Sequence, residues 1–93
     1  MKQSVAIQLD KVRNFRYSRK QIAQIEDVMG LPLSQINIEM QTGLATLIWG
    51  GLVWEDPTLT IDNVFDILDE YDNDLITTKM NEAITLAFPD KKK

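Results

Sequence analysis

The stretch from Thr42 to Trp54 constrains this chain more than any other, because its apolar residues go all the way round a helix. Leu44, Ala45, Leu47, Ile48, Trp49, Leu52, Val53 and Trp54 leave no polar stripe for water. Such a helix must be covered on most of its sides, and in a chain of 93 residues part of the cover is expected to come from another molecule. The run falls well short of the roughly 20 residues that cross a bilayer, so a buried helix is expected and no membrane span. Gly50-Gly51 inside it weakens the helix by about 1 kcal/mol per glycine relative to alanine. The same pair permits a close approach of neighbouring groups, which makes tight helix packing, or a kink, the reason for it.

The remaining elements arrange themselves around that segment. Ser4 to Asp10 alternates, with Val5, Ile7 and Leu9 on one side, as a half-buried strand does. Asp10 to Asn14 is polar enough to turn the chain, and Phe15-Arg16-Tyr17 can pair back, giving an N-terminal hairpin over residues 1–17. Ser18 is placed to cap a helix Arg19–Met29 with Ile22, Ile25, Val28 and Met29 at helical spacing and Gly30 as its stop. Leu31-Pro32-Leu33 forces an extended link, and Ser34 to Met40 reads as a short helix or a turn. Glu55-Asp56-Pro57 ends the apolar helix. Thr60 then caps a helix with Ile61, Val64, Phe65, Leu68 and Tyr71 on one face, and a last helix runs from about Asp74 to Phe88 before Pro89. The predicted fold is mainly α: one small helical domain spanning residues 1–93, with four to five helices in a body over 18–88, a short N-terminal β-hairpin, and a basic tail at 89–93.

Charge is segregated along this chain. Residues 1–24 carry a net +5, residues 25–90 a net −12, and Lys91-Lys92-Lys93 add three positive charges. An acidic body repels nucleic acid, whereas a two-ended charge pattern can steer copies of one protein head to tail. The N-terminus has no apolar stretch of signal-peptide length, and export is not expected.

Chemistry is narrowed sharply by what is missing. Without cysteine or histidine there are no disulfides, no thiolate or imidazole zinc sites and no Ser-His or Cys-His nucleophile pairs. The acidic run Asp62, Asp66, Asp69, Glu70, Asp72 and Asp74 fails as a calcium loop: counting from Asp72, Ile76, Thr77 and Ala83 fall where ligands or the turn glycine belong. Gly50-Gly51 leads into Leu52-Val53 rather than a lysine, so no phosphate loop is present. A helix-turn-helix over Ser18–Ser34 has its glycine seven residues after Ala23 rather than about four, and the reading helix after Pro32 would present Ser34, Gln35, Asn37 and Glu39 with no arginine or lysine. A binding protein without cofactor or metal is the expectation, and tryptophans are typical interface anchors as well as core residues.

The segment Leu47-Ile48-Trp49-Gly50-Gly51-Leu52-Val53-Trp54-Glu55-Asp56-Pro57-Thr58-Leu59-Thr60-Ile61-Asp62 resembles the signature of the tail assembly chaperones of long-tailed bacteriophages. There a tryptophan, small residues and a leucine precede an acidic pair, a proline and a Leu-Thr that opens the next helix. Arg16-Tyr17-Ser18, followed by Ile22, Ile25, Glu26 and Gly30, is similar to the family's opening. The resemblance covers roughly Arg16 to Phe88 and departs at Gly50, where alanine is frequent, and at Trp54, where histidine is frequent.

The resemblance implies a self-associating protein that binds the tape-measure protein and keeps it soluble while the tail tube polymerises. It would act in the host bacterial cytoplasm, outside the mature virion, as a ring or spiral of copies, with neither nucleic acid nor membrane as partner. A longer form of the chain made by frameshifting is also implied, and Lys91-Lys92-Lys93 could be encoded by a slippery adenine-rich sequence. An exposed apolar groove would hold amphipathic cargo helices. Trp49, Leu52, Val53 and Trp54 are the expected partner or self-association contacts, with Arg13, Arg16, Arg19 and Lys20 meeting the acidic helix of a neighbour. The alternatives are a small DNA-binding transcriptional regulator working through the basic N-terminal region, and a structural adaptor subunit.

Overall fold

Residues 4–88 are described by the computed structural model; the expected tail 89–93, with Pro89 as helix stop, and Lys2 lie outside them. The chain runs through β1 (Val5–Gln8), β2 (Val12–Phe15), α1 (Arg19–Met29), a single 3-10 turn at Leu33–Gln35, α2 (Gln41–Leu52), α3 (Ile61–Glu70) and α4 (Asn73–Ala87). Over the described residues it is a mainly α domain with four α-helices and a two-stranded antiparallel hairpin.

Nine of the twelve residues of α2 are buried, and the chain supplies the cover itself: α1, α3 and β2 all pack on this helix. The part of the cover expected from another molecule is not required for these nine residues. The two glycines explain how so short a chain manages it. A Cβ on Gly50 would overlap the Ile25 side chain, and one on Gly51 would lie 2.5 Å from the Tyr17 ring. The missing side chains are the space into which α1 and the end of the hairpin fit, and α2 continues as one helix through both glycines to Leu52.

The hairpin turns earlier than its polarity suggests. Val5 pairs with Phe15 and Gln8 with Val12, so Leu9–Lys11 forms the bend and Val12 to Asn14 are strand. Asp10 drives this by accepting the Lys11 N–H and gripping Arg13. In β2 the inward positions are Arg13 and Phe15, leaving Val12 exposed. Ile7, Leu9, Phe15 and Tyr17 join the core, where the Phe15 and Tyr17 rings stack with centroids 6.3 Å apart. The hairpin lies between α2 and α4.

Side chains cap the starts of α3 and α4 but not those of α1 and α2. Gly30 ends α1 in the left-handed region at φ 71°, its N–H bonding Glu26 O at 2.7 Å. Thr60 and Asn63 form a reciprocal capping box at α3, and Asp72 caps α4. Ser18, the expected cap of α1, instead donates its hydroxyl to the Gln21 side chain, leaving the helix start uncapped by a side chain. Gln21 is accordingly turned inward beside Ile25, and Val28, expected on the core face, is exposed.

Candidate functional site

The expected contact residues divide between the core, the end of α2 and the open face of α1. Leu52 is 1 % exposed and packs in the centre of the core, so its expected role at a partner surface is corrected: it holds α2 in place. Trp49 is half-buried and donates Nε1–H to Leu59 O at 3.0 Å, fastening the loop after α2 to the helix. Val53, also half-buried, is the C-cap of α2, and its N–H bonds Trp49 O at 2.9 Å.

Trp54 stands just beyond the helix and is the hub of a polar cluster with β2. Its Nε1–H donates to Asn14 O at 3.0 Å. Asn14 in turn donates its backbone N–H and its side-chain amide to the Glu55 carboxylate, at 3.2 and 3.1 Å. The Arg16 N–H bonds Gly51 O at 2.9 Å, which satisfies a carbonyl left over at the end of α2. The Arg16 guanidinium lies over the Trp54 ring, 4.6 Å from its centroid, a cation–π contact worth about 0.5–1 kcal/mol at a half-exposed site. Its buried Nε finds no hydrogen-bond partner. The tryptophan thus acts first as a clamp between hairpin and helix.

Arg13 also belongs to the interior. It is 6 % exposed and pairs in a fork with Asp10, Nε to Oδ1 and Nη2 to Oδ2 both at 2.8 Å, while Nη1 reaches Asp56 Oδ2 at 3.4 Å. The expectation that it meets a neighbour's acids is corrected, because its counter-charges come from its own chain. The fork lowers the Asp10 carboxyl below its ordinary range, chiefly through the hydrogen bonds from Arg13, and raises the Arg13 guanidinium. Asp56 is lowered mainly by the Thr58 hydroxyl, with Arg13 contributing. Tyr17 donates its hydroxyl to Leu47 O at 2.6 Å, and burial pushes its phenol upward.

Arg19 and Lys20 remain on the surface, exposed and without an ion pair among the described residues. So do Asp62, Asp66, Asp69 and Glu70 on the outer face of α3. The two charge clusters of the sequence are therefore both surface features. Arg19 and Lys20 open α1 while Glu26 and Asp27 lie near its end, the reverse of what the helix dipole favours, at a cost of about 0.3–1 kcal/mol for each charge.

The resemblance implies an exposed apolar groove, but residue spacing assigns no side chains to one. Ile22, Ala23, Leu33 and Phe88 form the apolar wall of an open groove of about 340 Å³, with Arg19 and Glu26 on its rim. The reversed charges of α1 were the available signal; the approach of Phe88 from the far end of the chain left no trace in local pattern. Among the described residues, no group of three or more acidic side chains gathers to hold a metal ion, and no helix is long and apolar enough to cross a membrane. Comparison with known protein families, with characterised proteins and with solved structures finds no match.

Proposed function

We propose that this chain is a tail assembly chaperone of a long-tailed bacteriophage, acting by binding rather than by chemistry. It would hold the tape-measure protein soluble in the host bacterial cytoplasm while the tail tube polymerises, and stay out of the mature virion. The observation that carries this reading is the pair of unneutralised charge clusters, Arg19 and Lys20 on one helix and Asp62, Asp66, Asp69 and Glu70 on another, all exposed and unpaired among the described residues. Unpaired surface charges of opposite sign on one molecule favour heterologous contacts between copies, which close as rings or continue as spirals.

The residues of the chaperone-like segment are also put to consistent use. Leu47, Gly50, Gly51 and Leu52 are core, Trp49 and Trp54 fasten the following loop and the hairpin, and Thr60 opens α3. Such a segment maintains a scaffold, while cargo is met elsewhere on the surface. Exposed Val28, Leu31, Ile38, Met40, Leu75, Leu86 and Phe88 supply apolar contacts of the kind an amphipathic helix needs. A frameshifted longer form of the chain would join the same assembly.

The test is co-expression with the tape-measure protein encoded by the same genome. Soluble tape-measure protein that co-purifies with this chain is the expected result. Tape-measure protein that stays insoluble, combined with a salt-sensitive shift of duplex DNA, would replace the chaperone by a DNA-binding regulator.

A further inference from the structure

The groove beside α1 combines three properties. Its wall is apolar, formed by Ile22, Ala23 and Leu33 with Phe88 arriving from the end of α4. Its rim is charged oppositely at its two ends, with Arg19 seven residues before Glu26, about 10 Å along the helix axis. Glu26 is held in position by the Leu33 N–H, which donates to its Oε2 at 2.8 Å, while Arg19 has no ion pair among the described residues.

The charge order on α1 opposes the dipole of its own helix. Local rules are broken in this way mostly at functional sites. A partner helix lying parallel to α1 supplies it best, because an acid near the partner's N-terminus and a base near its C-terminus suit that helix's dipole and also face Arg19 and Glu26.

We infer that this groove docks one amphipathic helix of the cargo, parallel to α1, with apolar side chains against Ile22, Ala23, Leu33 and Phe88, an acid facing Arg19 and a base two turns later facing Glu26. The inference rests on the chaperone reading for the identity of the cargo, and on the groove alone for its polarity. The groove selects among helices by the order of their charges, since apolar contacts by themselves do not distinguish the two directions.

The experiment uses the full chain, isotope-labelled for NMR, and two synthetic helical peptides of about 20 residues, long enough to be helical in water. Both carry the same leucine stripe. One has glutamate seven residues before lysine beside the stripe, and the other has the two exchanged. The acid-first peptide is expected to bind about fivefold more tightly, as partly exposed ion pairs allow. Its shifts should concentrate at Arg19, Ile22, Ala23, Glu26, Leu33 and Phe88. Arg19→Glu should reduce or invert the preference, and Ala23→Trp, at an exposed position that leaves folding intact, should abolish binding.

Equal affinities, no binding of either peptide, shifts centred on Leu75 and Leu86, or shifts of the apolar wall at Ile22, Leu33 and Phe88 produced by raising protein concentration alone would each overturn the inference. Co-expression separates the two readings. If Ala23→Trp still keeps the tape-measure protein soluble, the groove is overturned and the chaperone stands. If the unmodified chain binds the peptides in the expected order yet fails to keep that protein soluble, the groove stands and the chaperone reading falls.

Discussion

Arg13 carries a full charge under the hairpin, and what makes this tolerable is the two-bond fork to Asp10 with Asp56 completing it. Both carboxyls are held below their ordinary value of 3.8, so the folded state binds fewer protons than the unfolded one. Their stabilisation is complete above that value and is lost as pH falls through the lower folded pKa values. Thermal unfolding followed from neutral pH down to strongly acidic conditions should show this loss, and Asp10→Asn should flatten it. Arg13→Met fills much the same space but removes only one side of the fork and leaves the Asp10 carboxylate without its two bonds, so a loss of about 1–3 kcal/mol at neutral pH is expected in chemical denaturation, less than for a fully buried pair because Asp10 is half open to water. Gly51→Ala faces a harder constraint: the Tyr17 ring lies 2.5 Å from the new methyl and is tied to Leu47 O, so a loss of about 1–3 kcal/mol in chemical denaturation is expected. The need for close approach at Gly50-Gly51 was legible in the sequence. The inward turn of Arg13 was not, because alternation along Val12-Arg13-Asn14-Phe15 gives Phe15 a side without saying that an arginine shares it.

At the scale of elements, helix identity and order could be read directly, since each of α1, α3 and α4 repeats apolar residues at helical spacing and begins or ends on a recognisable cap. The hairpin bend was misjudged because Asn14 is polar for a different purpose: it binds Glu55 and accepts from Trp54, forty residues away. Contacts at that range leave no periodic mark. The same holds for Leu52, whose place in the motif suggested a surface that the packing of hairpin and α3 on α2 removes. α1 offers a test in which stability and function move in opposite directions. Arg19→Glu with Lys20→Glu places acids at the helix start, where the dipole favours them, and should raise stability by about 0.5–1 kcal/mol in thermal or denaturant unfolding. The same pair should weaken binding of tape-measure protein and of other copies. A variant both less stable and unchanged in binding would remove these residues from the proposed interface.

For the whole molecule, the exposed charges form two clusters on different elements, and the predicted behaviour is association that weakens with salt. Light scattering after size-exclusion chromatography, across protein concentration at low and high ionic strength, should show larger species at low salt and their loss in Arg19→Glu with Lys20→Glu. A strictly monomeric or simple dimeric species under all conditions would discard the ring or spiral. The enclosure of the hairpin has a further consequence, in the order of synthesis. β1 and β2 precede both helices that enclose them, and the residues that clamp β2 in place, Gly51, Trp54 and Glu55, follow it by some forty positions. On the ribosome, the apolar side chains of Ile7, Leu9, Phe15 and Tyr17 emerge and wait, uncovered, until α2 and then α4 have left the exit tunnel. A protein proposed to shelter the apolar faces of another chain thus passes through an interval in which its own are open to neighbouring nascent chains.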